Sequence, residues 1–249
     1  MLDLKDVSVI FNEGTKLEKV ALDHVTLHIN KGEFVTILGS NGAGKSTFFN
    51  VVTGSAPVSG GTIFLDGKDI TDEKEHIRSK QIGRLFQNPS QGTAAGLTVE
   101  ENLALTCHSG SGLFSIAVKK KDVELFREKL KVLNMGLEER LKTPIGLLSG
   151  GQRQAVALMM AVLNPPKLLL LDEHTAALDP KSAKTILEIT NQLVHDEHMT
   201  ALMITHNMTD ALKYGNRLLI FNDGKIVKDF SEEEKANLKP ADLLEFYEV

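Results

Sequence analysis

The 249-residue chain has little of what a secreted or membrane-spanning protein needs. Its single cysteine, Cys107, cannot form a disulfide within the chain, which fits a reducing cytoplasm. The longest apolar run, from Ala155 to Leu163, is far shorter than the roughly 18 residues of a membrane span. Residues 1–10 lack a basic region followed by an apolar stretch, so we expect no signal peptide. We therefore expect any membrane role to come through a partner.

The composition also lacks a basic excess. The formal net charge is −5 and the sequence pI is about 5.9, so nothing indicates a nucleic-acid partner. Hydrophobic residues make up 42% of the chain, which is enough for a sizeable core. The length favours one large domain, with room for an insertion.

The hydrophobic pattern predicts an α/β fold. Apolar and polar residues alternate at Val7–Phe11 and Val25–Ile29, which predicts half-buried antiparallel strands near the N-terminus. Continuous apolar runs at Phe34–Leu38, Leu168–Leu171 and Ala201–Thr205 predict strands that are buried on both faces. Helical patterns lie between these runs, so we expect a doubly wound parallel sheet.

The middle of the chain has helical patterns and loops without a strong strand. It predicts an inserted α-helical subdomain at residues 88–148, within a core formed by residues 1–87 and 149–249. Local expectations in the insertion and tail are a helix that ends at Gly136, a separating Gly/Ser stretch at Ser109–Gly112, solvated lysines at Lys119–Lys121, and a helical tail after Pro240.

Residues 39–46, with the sequence GSNGAGKS, match the phosphate-loop pattern at every fixed position. The glycines let backbone N–H groups curl around phosphate oxygens, and the following helix points its positive end at the same anion. Lys45 would neutralise the β- and γ-phosphates, and Ser46 would offer a hydroxyl to Mg²⁺. The pattern lies between an apolar strand and a helix, which a glycine-rich surface loop would not require.

Asp172 and Glu173 follow the buried run at Leu168–Leu171. At the carboxyl end of a strand, Asp172 can hold Mg²⁺ through water, and Glu173 can polarise an attacking water as a general base. Many strands end in acidic residues, so this signal gains its weight from the phosphate loop.

Two more polar residues follow apolar runs, namely Gln87 after Leu85-Phe86 and His206 after the strand that ends at Thr205. Ligands of open α/β sheets bind outside the carboxyl ends of the strands. We therefore expect Gln87 and His206 to lie in one crevice with Gly39 and Asp172.

The segment Leu148–Gln152, LSGGQ, predicts a second anion site. Ser149 can cap the helix that follows, and two glycines leave backbone N–H groups open at its N-terminus. An ordinary phosphate-loop enzyme needs only one such site. A merely capped helix with a flexible start would not require this particular sequence.

Taken in order, these motifs resemble those of the nucleotide-binding subunits of ATP-binding cassette (ABC) transporters, over essentially the whole chain. The resemblance implies a P-loop NTPase (RecA-like) parallel sheet core with an N-terminal antiparallel β subdomain, and ATP hydrolysis with ATP and Mg²⁺ as cofactors. It also implies a two-fold dimer in which Leu148–Gln152, the signature segment, of one subunit contacts the ATP held by its partner. His174 stands where this family usually has proline, and Met160 where it often has arginine.

The resemblance further assigns the site residues. The catalytic residues would be Glu173, His206 and Gln87, and the Mg²⁺ ligands would be Ser46, Gln87 and Asp172. The nucleotide would be bound by Phe11, Gly39, Ser40, Asn41, Gly42, Ala43, Gly44, Lys45, Ser46 and Thr47, with Ser149, Gly150, Gly151, Gln152 and Asp179. Phe11 would stack on adenine, although an aromatic residue in a strand is commonly a core residue.

Within the family, the segments Phe86–Thr93, Glu173–Pro180 and Ile204–Met208 resemble a bacterial branch linked to tryptophan or other aromatic amino acids. This implies the ATP-hydrolysing motor subunit of an importer. Its partners would be a second copy of itself, separate transmembrane permease subunits, and an extracytoplasmic substrate-binding protein that acts on the permease. The chain would then lie at the cytoplasmic face of the cell membrane as a peripheral subunit.

Three other functions also use a phosphate loop. An ABC-type ATPase of a soluble machine, such as iron–sulfur cluster assembly, would share every motif, and it remains the alternative. A phosphate-loop switch or kinase is disfavoured, because the chain has no Asn-Lys-x-Asp motif and the segment Leu148–Gln152 would be unexplained. An exporter is disfavoured because Thr143–Leu147 lacks the exporter-type pattern before the signature.

Overall fold

The computed structural model describes residues 1–107, 118 and 120–246, so Ser109–Gly112 and Lys119 lie outside it. The strands are β1 (Leu2–Phe11), β2 (Lys19–Ile29), β3 (Phe34–Gly39), β4 (Gly60–Leu65), β5 (Lys68–Asp69), β6 (Ile82–Leu85), β7 (Leu168–Asp172), β8 (Thr200–Ile204), β9 (Arg217–Asn222) and β10 (Lys225–Phe230). The α-helices are α1 (Lys45–Thr53), α2 (Glu75–Arg78), α3 (Val99–Cys107), α4 (Lys120–Lys131), α5 (Gly150–Val162), α6 (Pro180–Asp196), α7 (Met208–Lys213) and α8 (Glu232–Ala236).

The smaller sheet is antiparallel and has the strand order β2-β1-β4-β5. This confirms the antiparallel strands predicted near the N-terminus. Leu2, Leu4 and Val9 of β1 are buried in one core cluster with Phe48 of α1. The turn between β4 and β5 is formed by Asp66 and Gly67, whose φ values of 52° and 76° are both positive, as a tight two-residue hairpin requires.

The larger sheet has the order β10-β9-β3-β8-β7-β6, and all its strands are parallel except β10. Every residue of β3 and β8 is buried, because α5 and α6 pack on one face of the sheet while α1 and the smaller sheet pack on the other. The predicted α/β fold is thereby confirmed. The carboxyl ends of β3, β6, β7 and β8 meet at one edge, where most of the predicted site residues lie.

Helices α3 and α4 lie between β6 and β7 in the chain and pack against α5. Leu103 of α3 and Phe126 of α4 share one buried cluster with Val156 of α5 and Leu171 of β7. The described residues of the 88–148 region form helices, turns and one isolated bridge between Thr98 and Pro144. Because this region shares its core with the larger sheet, its boundaries stay a prediction.

The end of α4 corrects one expectation. The helix ends at Lys131, before Gly136, because Asn134 already adopts a left-handed conformation with a φ of 50°. Asparagine tolerates that conformation better than most residues. Gly136, with a φ of 68°, instead precedes the short 3-10 helix Leu137–Glu139.

The described part of the tail after Pro240 is helical, as predicted, but a further helix precedes it. A helix, α8, forms before Pro240, and the segment Pro240–Phe246 is a 3-10 helix. Ser231 caps α8 in a capping box with Glu234. The side chain of Lys235 is buried, and its Nζ donates to Thr36 Oγ1 at 3.2 Å, to the Gly215 carbonyl at 3.0 Å and to the Tyr214 carbonyl. These bonds attach the tail to the larger sheet.

His174 is buried directly after the end of β7. Only 1% of the residue is exposed, and its Nε2 lies 3.2 Å from the hydroxyl of Thr190 on α6. Burial lowers the pKa of His174 from 6.5 to about 4, since a charged imidazole would be desolvated there. The neutral ring is therefore the form that the fold accommodates.

This burial predicts a loss of stability in acid. The unfolded chain takes up a proton at His174 below its ordinary pKa of 6.5, whereas the folded chain does so only near pH 4. The free energy of unfolding should thus fall as the pH drops from 6.5 to 4, by about 3 kcal/mol from this group. In urea unfolding at several pH values, His174→Gln should show a flatter dependence than the parent. Equal slopes for both proteins would contradict the assignment.

Candidate functional site

The phosphate loop connects the end of β3 to the start of α1. Gly44 immediately precedes α1 in a left-handed conformation with a φ of 99°. A Cβ atom at Gly44 would lie 2.5 Å from the carbonyl oxygen of Ala21, so the loop can pack this closely only with glycine. The loop therefore packs closely and leads directly into the N-terminus of α1, where the first backbone N–H groups of a helix can bind an anion.

Lys45 lies within this loop and is only 6% exposed. Its Nζ donates to the carbonyls of Gly39 at 2.7 Å and of Ser40 at 2.8 Å. Burial lowers the pKa of Lys45, and the nearby carboxylates of Glu173 and Asp172 oppose that shift. An anionic phosphate entering the loop would meet a cation that is held in place and partly desolvated.

A cavity of about 190 Å³ lies beside the loop. It is lined by Phe11, Lys19, Ala21, Asn41, Gly42, Gly44, Lys45, Ser46, Thr47 and Glu173. Phe11 is 42% exposed, so the ring is open to a ligand and is not a core residue. The nucleotide-stacking role of Phe11 remains a prediction, but its position permits that role.

Lys19 is a lining residue that sequence analysis missed. It is exposed and lies opposite Phe11 in the pairing of β1 with β2. The signal that could have found it is this register, because a residue opposite a candidate stacking aromatic shares its surroundings.

Asp172 and Glu173 leave the sheet together at the end of β7. Glu173 has a φ of 44°, and its N–H donates to the carbonyl of Ile204 at 3.1 Å. A left-handed conformation costs about 1–3 kcal/mol for such a residue. His206 approaches from the end of β8, with its Nδ1 3.3 Å from Glu173 Oε2. The structure thus brings the predicted general base and His206 into contact.

Asp172 forms an ion pair that sequence analysis did not predict. Arg84 of β6 donates from Nη2 to Asp172 Oδ2 at 2.7 Å, and both side chains are mostly buried. Gln87 follows β6 and is exposed at the same edge of the sheet. The predicted metal ligands Ser46, Gln87 and Asp172 therefore come from segments that leave this one edge.

The segment Ser149–Gln152 begins α5. Ser149 and Gln152 form a capping box, in which Ser149 Oγ accepts from the Gln152 N–H at 3.3 Å. Ser149 and Gly150 are exposed. None of the residues of this segment lines the cavity beside the phosphate loop. One chain therefore does not bring its two predicted anion sites together.

Asp179 begins α6 next to this segment. Its Oδ1 accepts from the Ser182 N–H at 3.1 Å, and hydrogen bonds from Ser182 lower the pKa of the carboxyl group. A Cβ atom at Gly151 would lie 2.9 Å from Ser182 Oγ, so α5 and α6 approach each other closely. The predicted nucleotide-binding residues Asp179 and Ser149–Gln152 thus form one surface, separate from the cavity.

Comparison with known proteins gives a consistent result. The sequence pattern of the family described as "ABC transporter" matches residues 22–176. The chain belongs to the ABC transporter family. A "Tyrosine transport ATP-binding protein" of Clostridioides difficile is 40% identical over 248 residues, which covers 100% of this chain and 99% of the relative.

More distant relatives and solved structures agree. An "Energy-coupling factor transporter ATP-binding protein" of Acetivibrio thermocellus is 34% identical, over 88% of this chain and 76% of the relative. A dimeric ATP-binding cassette in a post-hydrolysis state, bound to ADP and Pi, has a TM-score of 0.79 and 30% identity, and the match covers 93% of this chain and 99% of that one. The protein is therefore an ABC ATPase, which hydrolyses ATP to ADP and phosphate.

Replacing Glu173 tests its predicted role in ATP hydrolysis. Glu173→Gln should keep the affinity for ATP, because the carboxylate is predicted to polarise water and not to bind phosphate. Turnover should fall by about 10²–10⁴-fold, as is typical when a general base is lost. Phosphate release measures turnover, and calorimetry measures affinity. Glu188→Gln, an exposed position on α6, is the matched control and should hydrolyse ATP normally. Wild-type turnover of Glu173→Gln would remove Glu173 from the mechanism.

Proposed function

We propose that this chain is the motor subunit of an importer for aromatic amino acids. The observation that carries the proposal is the full-length similarity to a tyrosine transport ATP-binding protein. A match over both whole chains supports shared partner-binding surfaces as well as a shared ATP site. The substrate would bind the permease and its extracytoplasmic binding protein, since this chain supplies ATP hydrolysis.

The residues around the phosphate loop fit a Mg²⁺ ion bound together with ATP. Mg²⁺ prefers oxygen ligands and keeps several waters, so a few protein groups suffice. Ser46 and Gln87 would offer neutral oxygens and Asp172 a carboxylate oxygen. Arg84 donates a hydrogen bond to Asp172 Oδ2. The described part of the chain shows no donor to Asp172 Oδ1, so that oxygen is available to a hydrated ion. When bound, Mg²⁺ would supply charge neutralisation at the phosphates.

The active unit would be a two-fold dimer of this chain. Ser149 and Gly150 are exposed and lie outside the cavity beside the phosphate loop, and a second copy can present them to that cavity. A two-fold arrangement would complete both sites at once. Support comes from the similar solved cassette, which is dimeric and holds ADP and Pi.

A groove between the larger sheet and the helical region offers a place for the permease. Its volume is about 400 Å³, and its walls include Thr53, Arg84, Phe86, Leu105 and Met160. Leu105 is 44% exposed there, an apolar side chain that a partner could cover. A short amphipathic helix of the permease would fit this groove, as helices commonly bind in apolar grooves.

The groove also accounts for the proposed location. Among the described residues, no helix is long and apolar enough to cross a membrane. Attachment through the permease would hold the chain at the cytoplasmic face of the membrane as a peripheral subunit.

Uptake measurements test the proposed substrate class. In cells that carry the whole transporter, Glu173→Gln should lower the uptake of labelled tyrosine, tryptophan or phenylalanine by at least about tenfold, because its hydrolysis falls by more than that. Methionine uptake should stay unchanged, and Glu188→Gln should transport normally. Loss of methionine uptake alone would contradict the aromatic class. Unchanged uptake of all four amino acids would contradict an importer for this class.

A further inference from the structure

Arg84 is held by contacts with three other parts of the protein. Its Nη2 donates to Asp172 Oδ2 at 2.7 Å, and its Nη1 donates to Asn50 Oδ1 at 2.8 Å. The guanidinium lies over the ring of Phe86, 4.9 Å from the ring centroid. The side chain is 14% exposed, so these contacts are made largely out of water.

Each of these contacts lies in a segment that bears a predicted Mg²⁺ ligand. Asn50 lies four residues after Ser46 on α1, and residues with this spacing share one face of a helix. Phe86 immediately precedes Gln87 in the chain. Asp172 is itself a predicted ligand. One guanidinium thus joins the end of β7, the face of α1 and the segment that follows β6.

We propose that Arg84 is a positioning residue that fixes the segments bearing Ser46, Gln87 and Asp172 relative to one another for Mg²⁺. This inference rests on the proposed magnesium site. Mg²⁺ requires nearly ideal octahedral geometry at short distances, whereas Ca²⁺ accepts irregular ligand sets. A site whose ligand-bearing segments are held together will therefore favour Mg²⁺ over Ca²⁺.

The shape of the side chain matters as much as its charge. A guanidinium is a planar fork that can bond Asp172 and Asn50 in fixed directions while its face rests on Phe86. A lysine ammonium at position 84 would keep the positive charge without the fork. Arg84 also repels any nearby cation, but this repulsion is the same for two ions of equal charge. A lower ratio of the Mg²⁺ and Ca²⁺ affinities in a variant therefore indicates lost positioning, whereas an unchanged ratio indicates an effect of charge alone.

The experiment measures the dissociation constants of a non-hydrolysable ATP analogue in its Mg²⁺ and Ca²⁺ complexes by calorimetry, without turnover. In the parent protein the Mg²⁺ complex should bind more tightly. Both Arg84→Met and Arg84→Lys should weaken binding of the Mg²⁺ complex by about tenfold or more, the usual effect of losing a group that orients a metal ligand. Binding of the Ca²⁺ complex should weaken less, because Ca²⁺ accepts irregular ligand sets, so the preference for Mg²⁺ should fall. Binding of the analogue in EDTA should change little, and melting curves confirm that each variant is folded.

Arg217→Met is the matched control. Arg217 pairs with Glu33 at 2.9 Å and Asp229 at 2.7 Å, and its side chain is 18% exposed, comparable to Arg84. It begins β9, at the opposite edge of the sheet from the phosphate loop. This variant loses two ion pairs where Arg84→Met loses one, yet it should keep the parental Mg²⁺ preference.

The other outcomes overturn the proposal in distinguishable ways. If Arg84→Lys keeps the parental ratio of the Mg²⁺ and Ca²⁺ affinities, Arg84 acts by charge alone. The same conclusion follows if both variants bind the Mg²⁺ and Ca²⁺ complexes more weakly by the same factor. If the ratio falls equally in Arg217→Met, the effect is one of general stability. A parent protein that binds the analogue equally well in EDTA would remove the magnesium site itself, and Arg84's role with it.

Discussion

The common edge at which the parallel strands end is the constraint on which the rest of the site depends. Strands β3, β8, β7 and β6 are neighbours that run in the same direction. The phosphate loop, His206, Glu173 and Gln87 therefore leave the sheet side by side, although they are far apart in sequence. Continuous burial of the leucines of β7 fixes where Asp172 and Glu173 leave the sheet. The same packing sustains the left-handed conformation of Glu173, which would be unfavourable in an exposed loop.

Much of this arrangement could be predicted from sequence, because the signals are local. The phosphate loop was recognisable from the spacing of its glycines, and Gly44 shows why glycine is needed there. The helix predicted to follow the loop is α1, which runs from Lys45 to Thr53 and ends there because Gly54 adopts a left-handed conformation. Buried parallel strands could be predicted because they are apolar at almost every position.

The features that sequence analysis missed are long-range contacts. Arg84 and Asp172 are 88 residues apart, and only the pairing of β6 with β7 brings them together. The pairing of Lys19 with Phe11 depends on the register of two strands. Lys235 donates hydrogen bonds to carbonyl groups of a distant segment. In the sequence alone, it cannot be distinguished from the other charged residues of the tail. No local sequence pattern indicates such long-range contacts.

The central claim is that each ATP site is completed by two chains. Mixing two inactive variants tests it most directly, with ATPase activity as the measurement. Lys45→Ala disables the phosphate loop and Ser149→Arg disables the signature. In a mixed dimer both defects fall in one site, so the other site is intact. Equal amounts should restore up to about one quarter of the parental activity, because half of the dimers are mixed and each has one working site. Activity that never exceeds the sum of the two variants alone, at any ratio, would contradict the shared site.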